Sequence, residues 1–523
     1  MAASSAGSTP SASADGSSTP ATTPDQPTRG ETPQDATTRG ETPQEAANRD
    51  DTSGRKTSRA KFGLASIVLL TINGIIGSGI FLSPGAVMKV AGTWTPLVYV
   101  IAGVFAAVLA VTFAAAARWT SENGAAFAYT RVAFGDDVGF YVGLTRFVGA
   151  AIAWGVMATA VVTTVLTVFG GHEAVTTTNI TIGFVLLMVV LLAINLAGTR
   201  ITKVVNNIST IGKVAALVLT IVAGLVVLAM TGDNHFSDLA HLKGPDGSPL
   251  VPSMDTTAFV GAMLAAFYAF TGFEGAGSAA SEMEDPARNL PRAIPIGVAV
   301  VIVVYVAVVS VAMMINPTGV LESKDAVVLA SAFDNSIVRD LIVLGALVSM
   351  FGINVAASFN TPRIFDAMSR RRMLPAAASR TSQRGVPVVA FVVTAVLAIV
   401  VPMAFGYSMR GIMVISSVTR FVQFVMVPLA LILCFLGRTR HRPNDVKRSV
   451  LLDVVFPILS IAASVLLMVE FDWRGQFSNP GGGLNLWAVA AMIVGYVVLP
   501  AALYLPWKLG VYDDTPKQLP EDR

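Results

Sequence analysis

Beyond about residue 62 the chain alternates long apolar runs with short polar connections, and twelve of the runs reach the roughly 20 residues that a membrane-spanning helix needs. They cover residues 63–90, 94–117, 138–167, 178–198, 207–231, 257–281, 293–315, 339–362, 386–406, 411–435, 450–470 and 485–507. The pattern predicts an all-α integral membrane protein with twelve transmembrane helices. Two of the runs differ from the rest, LASIVLLTINGIIGSGIFLSPGAVMKV (64–90) and AFVGAMLAAFYAFTGFEGAGSAASEME (258–284), because glycines interrupt each near its middle. A helix that breaks at membrane depth leaves N–H and C=O groups that hydrocarbon cannot satisfy, so a break survives only where it is buried in protein or lines a cavity. Paired breaks in corresponding places of two halves are the sequence pointer to a transporter's binding site.

The chemistry of each break follows from which backbone groups it frees. Gly74, Gly77 and Gly79 let the first helix open, and Ser78 adds little bulk. Opening there presents the amides of Gly77, Ser78, Gly79 and Ile80, with Ile76 at the edge, at the start of a second half-helix whose positive dipole end suits a carboxylate. A close-packing seam of small residues is the structural alternative, but the GSG spacing is not that of GxxxG. Around Thr271 and Gly272 the second break frees the carbonyls of Tyr268, Ala269, Phe270 and Thr271 at a helix C-terminus, which suits a cation. A ligand with an ammonium and a carboxylate on one carbon would bridge the two.

Composition and charge agree with the membrane reading. The chain is 53% hydrophobic and 13% charged, and its mean hydropathy is +0.65. Residues 1–60 are a separate Ser, Thr, Pro, Ala and Gly tail that repeats TRGETPQ at 28–34 and 38–44. It is too poor in apolar side chains to offset its ordering entropy and is expected to be disordered, as a spacer or an interaction tail. It has no secretory-signal pattern, so the first apolar helix is expected to direct insertion. Residues 61–508 form the transporter domain and 509–523 a short cytoplasmic tail. Placing the N-terminus in the cytoplasm leaves only Lys243, Lys324, Arg339, Arg410 and Arg474 in outer connections, out of 36 basic residues. That asymmetry predicts a plasma-membrane protein with both termini inside. Arg370, Arg371 and Arg372 serve that topology or bind anionic lipid. The net charge of +3 calls for no nucleic-acid partner. Cys434 is the one cysteine and the four histidines lie in expected loops, so no metal site, no cofactor and no membrane-embedded enzyme is expected.

Three motifs in order, NGIIGSGIF (73–81), FYAFTGFEGAGSAASEMEDPARNLPRAI (267–294) and SFNTPRIFDAMSRRRMLP (358–375), resemble the amino acid/polyamine/organocation superfamily of permeases. The resemblance runs from about residue 62 to at least 440. It implies a leucine-transporter-type five-plus-five inverted repeat followed by two additional helices. It also implies an aromatic gate at Tyr268, for which interior packing is the alternative. Lys213, on the fifth run, matches a family lysine whose ammonium stands where sodium-coupled relatives hold a sodium ion, bridging the first and eighth helices; snorkelling to the inner interface is the alternative. Ser349 and Asn354 on the eighth run are its candidate polar neighbours. Glu274 is the one carboxylate near the centre of a run, and burial suits it either to carry a proton or to hold structure by hydrogen bonding. Arg146 is expected nearer the cytoplasm and Arg420 nearer the outside, so the two need not face each other; either could pair with backbone carbonyls or gate a vestibule, and Arg420 could instead attract a substrate with an extra acidic group.

The resulting expectation is a secondary active amino acid transporter working by alternating access, coupled to protons or exchanging one amino acid for another. A polyamine or cationic amino acid carrier, with Glu274 binding the second amine, is the runner-up. A non-transporting amino acid receptor is the alternative from another class.

Overall fold

A computed structural model describes residues 63–120, 125–197, 199–242, 249, 251, 253–274, 284–323, 327–382, 386–479 and 482–512. The N-terminal tail, most of the C-terminal tail and the end of the sixth apolar run lie outside them. The regular secondary structure among the described residues is helical, joined by turns and coil, with isolated β-bridges such as Thr381 with Pro387 and Ser478 with Leu484. The principal helices are α1 (Leu64–Ile75), α2 (Gly79–Ala91), α3 (Thr95–Ala116), α4 (Ala126–Phe134), α5 (Asp136–Gly170), α6 (Thr177–Ala197), α7 (Thr199–Thr231) and α8 (Thr256–Phe270). They continue with α9 (Pro286–Ile315), α10 (Ser336–Arg370), α11 (Val388–Ala404), α12 (Met409–Val418), α13 (Phe421–Leu436), α14 (Phe456–Val469), α15 (Leu486–Ile493) and α16 (Leu499–Lys508).

Among the described residues, nine stretches are long and apolar enough to cross a membrane, and Leu64–Ile75, Thr256–Phe270 and Val388–Ala404 are shorter apolar helices. This is a multi-pass membrane protein. The longest stretch, Gly79–Ala116, contains a turn: Gly92 takes φ +52 after α2 and a 3₁₀ turn over Gly92–Trp94 leads into α3. Burial separates the inner helices from the outer ones. The stretches Gly79–Ala116 and Asp136–Gly170 are 67% buried, whereas Leu486–Lys508 is 17% and Ile211–Thr231 is 22% buried despite equal apolarity. Apolar residues so exposed belong against lipid. The interior places α2 on α8, α1 on α9, and α10 against α5 and α7.

Several helices overrun the apolar runs that foretell them. α7 begins at Thr199 rather than 207, and α10 continues to Arg370 rather than 362. Hydropathy marks only the part within hydrocarbon, whereas the backbone ladder continues into the interface. A break also occurs where no run ends: α12 stops at Val418 and α13 starts at Phe421, with Thr419 and Arg420 between them. No glycine or proline marks this junction, and short bonds from Arg420 N to Ser417 O (3.2 Å) and Gln423 N to Arg420 O (3.1 Å) carry the chain across it.

Candidate functional site

The two glycine-marked breaks meet in the protein interior. α1 ends at Ile75, Ile76 turns to an extended ψ of 98°, and α2 restarts at Gly79. α8 ends at Phe270, and Gly272 takes φ +119, a conformation open to glycine at no steric cost. The close approach is backbone to backbone: a Cβ on Gly272 would collide with the Gly74 carbonyl, and one on Gly79 with the Ala269 backbone. Gly77 is different, because a Cβ there would stand at an ordinary 3.5 Å from Ile353 Cγ1. Thus Gly79 and Gly272 are glycines because two broken helices cross there, while Gly77 sits beside tolerant space.

Among the described residues, the amides of Gly77, Ser78, Gly79 and Ile80 donate no backbone hydrogen bond. They form a row of donors at the start of α2, all on buried residues. Ser78 Oγ is buried as well, beside the Tyr268 hydroxyl. The carbonyl side differs from expectation. The Tyr268 carbonyl accepts from Thr271 N (3.2 Å) and Thr271 Oγ1 (2.8 Å), and the Ala269 carbonyl accepts from the Tyr305 hydroxyl (3.1 Å). Of the four expected, only the carbonyls of Phe270 and Thr271 accept no hydrogen bond among the described residues. Tyr305, on α9, also reaches the Ile75 carbonyl at 3.5 Å, so one fully buried phenol ties both breaks together. Sequence reading missed it because a tyrosine inside an apolar run looks like packing. Its ring lies 5.0 Å from that of Phe270.

Lys213 projects from α7, 2% exposed, and its ammonium donates to the carbonyls of Asn73 (2.9 Å) and Ile76 (2.7 Å) at the open end of α1. No hydrogen bond between Lys213 and α10 occurs among the described residues, so the expected bridge to the eighth run is absent in this conformation. Ser349 and Asn354 are fully buried on α10, with Ser349 Oγ and Asn354 Oδ1 lacking partners; Asn354 Nδ2 donates to Met350 O at 2.7 Å.

Glu274, just past the second break, is 3% exposed. Its Oε2 accepts from Gly272 N at 2.8 Å, Arg420 Nη1 lies 2.6 Å from its Oε1, and Arg146 Nη2 is 3.8 Å from the same oxygen. The two arginines, which sequence order left free to lie at different depths, meet on one carboxylate. Arg420 sits in the α12–α13 junction, and that unforeseen break carries its side chain to Glu274. An unpaired arginine at membrane depth costs roughly 2.5–3.5 kcal/mol on insertion scales, which accounts for the convergence on one carboxylate. A second buried pair, Arg118 with Asp453, ties the end of α3 to the turn before α14; Asp453 also accepts from Ser449 N at 2.8 Å. No group of residues suited to hold a metal occurs among the described residues.

Comparison with known proteins bears on this geometry. The family model described as amino acid permease matches residues 62–502. The chain belongs to the amino acid permease family. The permease is 42% identical over 457 residues to an uncharacterized transporter of Mycobacterium tuberculosis, covering 85% of this chain and 94% of that protein. It is 27% identical to the branched-chain amino acid permease BcaP of Bacillus subtilis over 346 residues, 63% of this chain and 71% of BcaP. It is 26% identical to the serine/threonine exchanger SteT of the same organism over 324 residues, 61% of this chain and 70% of SteT. The protein is a transporter and not an enzyme.

Proposed function

We propose that this permease is a secondary carrier of amino acids that works by alternating access, with twelve spans arranged as a leucine-transporter-type five-plus-five repeat and two additional helices. It resides in the plasma membrane with both termini in the cytoplasm. The observation that carries the reading is the row of four undonated amides, Gly77 to Ile80, held in a buried helix break against a second break. That row takes the α-carboxylate, the open carbonyls of Phe270 and Thr271 take the α-ammonium, and Tyr268 covers the ligand. Lys213 couples transport to protons because its ammonium holds the end of α1, which must move for the site to change sides. BcaP and SteT differ in the side chains their names specify, so they support the shared α-amino acid core of the substrate. A polyamine or cationic substrate would need Glu274 for its second amine, and Glu274 is already engaged by two arginines and an amide.

Counterflow in liposomes tests the proposal. Purified protein in vesicles preloaded with a mixture of amino acids should take up one radiolabelled amino acid, and unlabelled amino acids should compete while their decarboxylated amines do not. Binding without counterflow would identify a receptor, and competition by polyamines would refute the carboxylate site.

A further inference from the structure

The polar path from the second break does not end at Glu274. Two guanidiniums share one carboxylate oxygen, and Glu274's other oxygen is occupied by the Gly272 amide. Among the described residues no second acidic side chain pairs with Arg146 or Arg420, so these residues set two guanidiniums against one carboxylate in a place where isolated charge is expensive. Beside it runs a cleft lined by Thr145, Arg146, Gly149, Thr419, Arg420 and Gln423, closed in this conformation too tightly to hold a water molecule, so that a ligand enters it only as the helices separate. Arg420 Nε is buried there without a hydrogen-bond partner, and so are both amide atoms of Gln423, a residue 2% exposed. Buried donors are rarely left open, and here three polar atoms and two guanidiniums converge on one cleft. Packing alone does not require them, since an apolar residue at 423 would fill the same volume without an unsatisfied amide.

We propose that this cleft is the side-chain subsite of the permease and accepts a carboxylate, which makes its substrates amino acids with acidic side chains. The assignment rests on the amino acid carrier reading above. A bound side-chain carboxylate brings the cluster to two guanidiniums and two carboxylates and gives Arg420 Nε and the Gln423 NH₂ an acceptor. A lysine or arginine side chain would meet two guanidiniums, and an aliphatic one would leave the open donors unsatisfied. A free anion such as chloride shares the chemistry and is separated from a substrate carboxylate by the test.

The experiment compares isosteric pairs, glutamate with glutamine and aspartate with asparagine, as competitors of counterflow in proteoliposomes, in chloride and in gluconate buffer. Glutamate or aspartate should compete at least tenfold better than its amide, equally in both buffers. Gln423→Leu should weaken the acidic competitor about fivefold and the amide less. Arg420→Gln should bring the ratio within each pair close to one. If amides and other neutral amino acids drive counterflow while acidic ones do not, the subsite assignment fails and the carrier reading stands. If no amino acid drives counterflow, the carrier reading itself fails. Neutral transport that requires chloride would assign the cleft to a free anion, and equal loss for every substrate in Arg420→Gln and Gln423→Leu would make the cluster a gate; either result overturns the proposal.

Discussion

Replacing Lys213 by alanine separates the holding of the ligand from the coupling of its movement. The ammonium makes two hydrogen bonds, 2.9 Å to Asn73 O and 2.7 Å to Ile76 O, and bonds to a charged donor contribute roughly 1.5–3 kcal/mol each. Their sum, about 3–6 kcal/mol, is set against a cost of several kcal/mol for taking an ammonium out of water. The two terms nearly cancel, so Lys213→Ala should change the folding stability of the purified protein by less than about 2 kcal/mol. Transport should respond differently, because the mutation removes a cation that ties α7 to the open end of α1. In sodium-free buffer, wild-type vesicles with an inward proton gradient should accumulate amino acid above equilibrium. Lys213→Ala vesicles should only equilibrate, while affinity, set by the amides of Gly77 to Ile80, falls less than about tenfold, or 1.4 kcal/mol. Strict dependence of wild-type uptake on sodium refutes the lysine model. So does undiminished accumulation by the variant, and uptake confined to preloaded vesicles would make the carrier an obligate exchanger.

Two further predictions come from the breaks and from the charge asymmetry. Gly77→Val should cut substrate affinity more than tenfold with little change in thermal stability, because its neighbour stands at contact distance, whereas Gly79→Val meets the Ala269 backbone and should lower stability and binding together; equal destabilisation of both variants would refute the distinction. In a Cys434→Ser background, a cysteine replacing exposed Ser237 should react with an impermeant reagent on intact cells, and one replacing exposed Asp445 should react only after permeabilisation. The reverse pattern would invert the topology.

The parts of this fold legible in sequence are those written in single-residue chemistry. Every apolar run contains helix among its described residues, and the first two breaks fall where glycine permits them, at 76–78 and 271–272. Helix ends were less legible, since α7 and α10 continue past the hydrocarbon on backbone bonding that hydropathy does not register. The fate of freed carbonyls was not legible at all. Whether the Ala269 carbonyl stays open depends on Tyr305, 36 positions along the chain, arriving at 3.1 Å. Gly79 marks the opening of the helix in the sequence, and in the structure the space its missing side chain leaves is taken by the Ala269 backbone.

The arginine cluster shows why sequence order alone misleads about depth. Counting along oppositely directed helices puts Arg146 and Arg420 at different levels, a sound inference for straight helices. The chain is not straight at Arg420: α12 ends two residues before it, and the junction turns the side chain inward to Glu274. A broken helix thus carries a cation to a break on another helix, just as Lys213 reaches the break in α1. Each glycine-marked break has its own buried cation, and the two differ in what faces them. Lys213 meets two neutral carbonyls, which hold it without cancelling its charge, so it can lose a proton without orphaning a partner ion. Arg420 and Arg146 meet one carboxylate, and on the proposed reading the remaining positive charge is balanced by what binds. On the proposed carrier reading, the first break couples to protons and the second selects its ligand.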